Sequence, residues 1–192
     1  MTIKVVAING SPRKKGNTQL MLDAAADVLE SKGIEVEHFS LAEQDIKPCN
    51  GCEKCNKDPW ACPIKDDAVR VLKKMVSADG ILMGSPVYFG GVTAQMKALF
   101  DRSAMAYNRM ELKDKVGAAL SCGAGYHGGQ ELTIWQFITF FTTHDMIVAN
   151  CPGGLGGAMA VGSGRGDVKN DVEGLKSAAQ LGKRMAELLA SK

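Results

Sequence analysis

The 192-residue chain is 45% hydrophobic and 23% charged with a formal charge of +2, a balance that suits one globular domain able to bury a core without crosslinks. Acids and bases are interspersed, which gives no electrostatic footprint for nucleic acid, and no apolar run approaches the roughly 20 residues that span a bilayer. The amino-terminal apolar stretch is too short for a secretory signal and no small-residue cleavage site follows it, so a cytoplasmic location is expected.

Ile3 to Ile8 is apolar except for Lys4 and runs into Asn9-Gly10-Ser11-Pro12, the pattern of a strand buried on both faces. Gly10 to Thr18 then concentrates glycines, hydroxyls and an amide just before a helix, where unpaired N–H groups and the helix dipole favour an anion. The stretch lacks the Gly-Lys-Ser/Thr of a Walker loop and the G-x-G-x-x-G of dinucleotide folds. A terminal monophosphate therefore suits it better than ATP or NAD; the plain alternative is a polar turn before a capped helix. From Asn17, Leu20, Met21, Ala24, Ala25, Val28 and Leu29 recur at spacings of three and four, and Lys32-Gly33 stops the helix. Ile34 to Phe39 alternates as far as Glu37, as a half-exposed edge strand does.

Residues 45–65 show no periodicity and hold Cys49-x2-Cys52-x2-Cys55-x6-Cys62-Pro63. Cytosolic thiols are kept reduced, so this density points to metal or redox chemistry rather than disulfides. The two-residue spacing used twice lets three thiolates converge from one loop on a cuboidal cluster, and the longer gap leaves slack for the fourth. Zinc sites more often separate two C-x2-C pairs by a longer segment, so one [4Fe-4S] cluster is the economical reading, with zinc the alternative. Cys122 and Cys151 read as structural or incidental.

Asp66 and Asp67 open a helix with Val69, Leu72, Met75 and Val76 on one face. A strand at Gly80–Gly84 leads into the loop Ser85–Gly91 and a helix carrying Met96, Leu99 and Phe100. After a strand at Val116–Ser121 comes a glycine-rich loop, Cys122 to Gly129, then a helix through Trp135 and Phe141 and a strand at Met146–Ala149. Gly123 to Gly128 does spell G-x-G-x-x-G, but Asn150-Cys151-Pro152 follows the next strand where an acid belongs, so the match is accidental. Asn150–Asn170 is glycine-rich, the composition of a segment that is mobile or held by a partner, and Asp171 caps the last helix. Strict alternation of strands and helices predicts an α/β, doubly wound parallel sheet of five strands in a single domain, residues 1–192, with ligands beyond the strands' carboxyl ends.

Gly10–Thr18, Ser85–Gly91 and Gly123–Glu131 resemble the three FMN loops of the flavodoxin-like NADPH-dependent FMN and quinone reductases. The resemblance implies strand order 2-1-3-4-5. It also implies that Ser11, Arg13, Asn17 and Thr18 hold the FMN phosphate, that Pro86, Val87, Tyr88, Phe89 and Gly90 flank one side of the isoalloxazine, and that Gly123, Gly125, Gly128 and Gly129 line its edge. Flavin chemistry needs no protein nucleophile; Tyr88 and His127 are the side chains placed to modulate it. With the cysteine motif inserted after the second strand, the chain resembles the iron-sulfur flavoprotein family, known largely from anaerobes. That resemblance implies FMN and a [4Fe-4S] cluster on Cys49, Cys52, Cys55 and Cys62, a ferredoxin as one-electron carrier, two-electron acceptors, and homodimers or homotetramers. Two other readings stay open: an NAD(P)H-dependent FMN or quinone reductase with zinc or a vestigial cluster, and a non-enzymatic FMN-binding module.

Overall fold

The computed structural model describes residues 2–152 and 155–192. Strands β1 (Lys4–Asn9), β2 (Glu35–Ser40), β3 (Gly80–Pro86), β4 (Val116–Gly123) and β5 (Ile147–Ala149) lie in the order β2-β1-β3-β4-β5, all parallel. This is the order that the resemblance implies. The helices are α1 (Asn17–Ser31), α2 (Lys54–Lys57), α3 (Ala68–Ser77), α4 (Ala94–Arg102), α5 (Ala104–Tyr107), α6 (Gln130–Thr143) and α7 (Val172–Ala190).

Side chains alternate across each strand, so the two faces of the sheet collect different cores. Val5, Ala7, Leu82, Ala118 and Leu120 pack against α1 and α7 through Met21, Leu22, Ala25, Leu181 and Met185. Val6, Ile8, Ile81, Met83 and Ala119 face Leu72 and Met75 of α3, Met96 and Leu99 of α4, and Phe137 and Phe141 of α6. The continuous apolar runs of β1, β3 and β4 are buried on both faces, whereas β2 exposes Glu35, Glu37 and His38 at the sheet edge. Helices α1 and α7 approach closely at Gly182, where a Cβ would stand 2.4 Å from the Ala25 carbonyl oxygen.

The glycine-rich stretch holds an additional strand, β6 (Ala158–Val161). β5 pairs with residues 116–118 of β4 and β6 with residues 120–123, so one position in the sheet is filled by two separate segments. Four small or apolar residues between glycines carry too little pattern to mark a strand in sequence. The consequence is positional: β6 delivers Gly162 to the carboxyl end of β4, where its N–H donates to the Gly123 carbonyl at 2.9 Å. Of Asn150–Asn170, expected to be mobile or held by a partner, the described residues include a paired strand and a 3-10 turn at Asp167–Asn170, while residues 153–154 lie outside the described ones.

His144 is buried at the end of α6 beside the Phe140 and Tyr107 rings, with Nε2 2.8 Å from Ser103 Oγ. Burial lowers its pKa from 6.5 to about 4. Between those values the unfolded chain binds a proton that the native state refuses, so stability falls as pH drops from 6.5 toward 4. His144→Phe is expected to flatten this part of a plot of urea midpoint against pH, and an unchanged slope would mean that His144 is already charged in the native protein.

Candidate functional site

Loops leaving the carboxyl ends of β1, β3 and β4 enclose a cleft of about 150 Å³. Its first wall is the start of α1. Gly16 occupies the N-cap without a side-chain cap, and no acid lies in the first turn. By contrast, Thr93 caps α4 and Asp171 caps α7, each accepting from a first-turn N–H. The first-turn N–H groups of α1 are therefore without a side-chain cap, and Asn17 and Thr18 of that turn line the cleft beside Ser11 and Arg13. The approach is shaped by short polar turns: Ser11 N–H donates to Asn9 Oδ1 at 2.9 Å and Arg13 N–H to Ser11 Oγ at 3.1 Å.

Thr93 fastens this loop to the next. Its hydroxyl donates to the Gly10 carbonyl at 2.6 Å and its N–H to Ser85 Oγ at 3.1 Å. Glycine at position 10 lets the loop pack close, since a Cβ would stand 2.8 Å from Met96 Cε and 3.1 Å from the Gly84 carbonyl oxygen. Beyond Ser85, Pro86, Val87 and Tyr88 form a second wall. Tyr88 and Gly91 exchange backbone hydrogen bonds around Phe89 (φ 49°) and Gly90 (φ 78°), a two-residue turn with both central residues left-handed. Phe89 stands fully exposed at its tip.

Cys122, Gly123 and Ala124 make the third wall. The Cys122 thiol lies 3.4 Å from Thr18 Oγ1, and burial pushes its pKa up. Gly129 (φ 99°) lets this loop touch the second, as a Cβ there would fall 3.1 Å from Val87 Cγ1 and 3.2 Å from Gly90 Cα. Gly162 and Ser163 close the fourth wall. Asn17 holds that segment through Nδ2, which donates to Gly162 O at 3.0 Å and Gly164 O at 2.9 Å, and through Oδ1, which accepts from Val168 N–H at 3.2 Å.

Of the residues expected to hold FMN, the cleft wall thus includes Ser11, Arg13, Asn17, Thr18, Pro86, Val87, Tyr88 and Gly123. Phe89, Gly90, Gly125, Gly128 and Gly129 do not line it, and His127 borders a neighbouring hollow with Tyr126 and Glu131. Ala124, within the expected loop Gly123–Glu131, also lines it, and Cys122, Gly162 and Ser163 do so without having been anticipated. The signal for the last pair is the run Gly162-Ser163-Gly164, which has the composition of the other loops.

The cysteine loop leaves β2 at the same edge of the parallel sheet. Cys49, Cys52, Cys55 and Cys62 line one small cavity, walled on its inner side by Ile64, Arg102, Ala104 and Met105. Partial burial pushes the Cys55 thiol up, against a backbone hydrogen bond that lowers it, and charge on Cys49, Cys52 and Cys62 pushes the same way as burial. Two receive N–H donors: Gly51 N–H at Cys49 Sγ, 3.4 Å, and Arg102 Nη2 at Cys62 Sγ, 3.3 Å. As they stand, no three His, Cys, Asp or Glu side chains among the described residues are arranged to hold a metal ion.

Asp66 accepts Ala68 N–H at 3.1 Å near the start of α3, but its main partner is the Arg102 guanidinium. Both side chains are almost completely buried. Burial works against the Asp66 charge, yet the hydrogen bonds and charge of Arg102 hold its carboxyl below the ordinary range.

The sequence pattern of the NADPH-dependent FMN reductase family matches residues 3–177. An iron-sulfur flavoprotein of Methanocaldococcus jannaschii is 49% identical over 97% of each chain. One from Methanosarcina thermophila is 36% identical, covering 97% of this chain and 95% of its own. Among solved structures, the NAD(P)H:quinone oxidoreductase of Methanothermobacter marburgensis superposes with a TM-score of 0.72 at 16% identity, over 95% of this chain and 96% of that one. A flavodoxin from the domain Archaea gives 0.63 at 18% identity over 98% and 99%. Fold, pattern and near relatives agree, and the chain is an FMN-dependent oxidoreductase that belongs to the iron-sulfur flavoproteins within the NADPH-dependent FMN reductases.

Proposed function

We propose that the cleft binds FMN with its phosphate at the start of α1, that the four loop cysteines hold a [4Fe-4S] cluster, and that the protein couples one-electron carriers to two-electron acceptors. When bound, FMN accepts one or two electrons and the cluster accepts one. The observation that carries the reading is the pairing, along one edge of the sheet, of an uncapped helix start with a cavity lined by four thiols.

The residues suit these groups chemically. First-turn N–H groups, the Ser11 and Thr18 hydroxyls and the Arg13 guanidinium favour a phosphate dianion. Pro86, Val87 and Tyr88 offer a largely apolar wall to a planar ring, while Gly123 and Ala124 let backbone approach its edge. Such donors would stabilise negative charge on a reduced ring. Around the cysteines, four thiolates match the ligand set of a cubane cluster, and two already accept N–H hydrogen bonds.

All six cysteines are free, in keeping with a reducing cytoplasm. A ferredoxin or NAD(P)H is the matching donor, and a homodimer or homotetramer the matching assembly. Protein isolated without oxygen is expected to carry about four irons and four sulfides per FMN. Zinc without sulfide would overturn the cluster and leave an NAD(P)H-dependent flavin or quinone reductase.

A further inference from the structure

Arg102 is the last residue of α4, and its side chain is 1% exposed in a region where only paired charges are tolerable. Nη1 donates to the Lys47 carbonyl at 3.0 Å and to Asp66 Oδ2 at 2.5 Å. Nη2 donates to Cys62 Sγ at 3.3 Å and to Asp66 Oδ1 at 3.0 Å. Lys47 precedes the first cysteine and Asp66 follows the last, so one planar group clamps both ends of the loop. Four of the five guanidinium donors are in use, leaving Nε without a partner.

We propose that Arg102 is a positioning residue for the cysteine site, fixing the Cys62 sulfur by an N–H···S hydrogen bond and thereby setting how firmly a cluster is held and how readily it is reduced. The inference rests on the iron-sulfur reading above. An Asp66–Arg102 pair alone would anchor α4 to the loop. The donor directed at sulfur goes further, because it delocalises thiolate charge, and hydrogen bonds to the sulfurs are among the factors that set a cluster's potential. The rigid fork also fixes the direction from Asp66 to Cys62, which a lysine's single ammonium cannot do.

The test uses anaerobically prepared holoprotein and two variants. Arg102→Lys keeps the charge without the fork, and Arg102→Met with Asp66→Asn removes the pair without stranding a buried charge. Both are expected to keep FMN and a native circular dichroism spectrum. Both should lose iron to a chelator faster than the parent, by about the 10- to 100-fold that loss of outer-shell partners takes from metal affinity. In an EPR-monitored titration the cluster of Arg102→Lys should be reduced at a more negative potential. Should Arg102→Lys fail to fold, the double variant decides by the same two readouts. Chelator rate and potential both equal to those of the parent would overturn the role of Arg102 and leave the cluster assignment intact. Parent protein devoid of iron and sulfide would instead overturn the cluster, and this inference with it.

Discussion

Replacing Cys52 by alanine is expected to abolish iron and sulfide binding while FMN stays at about one per chain. Cys52 is exposed between Cys49 and Cys55, and its N–H makes a local 3.3 Å bond to Asn50 Oδ1 that alanine retains. Trimming an exposed side chain of this kind changes stability by no more than about 0.5 kcal/mol, so the fold and the cleft are left as they are. The chemical loss is far larger, since a cubane cluster needs four thiolates and the loop would offer three. Iron should fall from about four per FMN to well below one, read by iron and sulfide analysis beside flavin absorbance. Cys151→Ala is the control: that thiol is buried against the Ser177 carbonyl at 3.4 Å, in the core under α7, and its removal should leave the iron content unchanged. Loss of flavin together with iron in Cys52→Ala would show that the two sites depend on each other.

Where local pattern and tertiary role coincide, the sequence is a good guide to this molecule. The apolar runs of β1, β3 and β4 are buried, the alternating run of β2 is an edge, and each of the five expected strands lies within two residues of its expected limits. The cysteine spacing and the polar loop after β1 are equally local signals. What sequence hides depends on partners far along the chain. Asn17 is committed to Gly162 and Gly164, 145 and 147 residues away, so the fourth wall of the cleft emerges only when the chain folds back. Asp66 reads as a helix opener because its neighbours are helical, while its strongest partner, Arg102, lies 36 residues further along the chain. Cys122 looks incidental from an expected strand end at Ser121; β4 continues to Gly123 and carries the thiol into the cleft wall.

The start of α1 provides the sharpest separation of stability from binding. Gly16 has φ −139° and ψ −170°, extended backbone open to any residue, and a Cβ there would meet nothing closer than Arg13 Cβ at 3.5 Å. Aspartate therefore fits and should cap the helix. It is better than glycine at an N-cap by a few tenths of a kcal/mol, and its charge adds about 0.3–1 kcal/mol against the helix dipole. Gly16→Asp should accordingly raise the melting temperature of the flavin-free protein. Binding should move the other way, because the carboxylate takes the first-turn N–H groups and faces the phosphate. Two unit charges about 4 Å apart at an effective dielectric of about 20 repel by about 4 kcal/mol. Even after screening by salt, FMN affinity should fall by at least about a hundredfold, measured by flavin fluorescence quenching. Gly16→Asn caps as well without the charge, so the gap between the two variants isolates electrostatics from occlusion. If Gly16→Asp binds FMN as tightly as the parent, the phosphate lies elsewhere; if affinity falls while the flavin-free protein gains stability, the missing cap is what keeps the site open to its ligand.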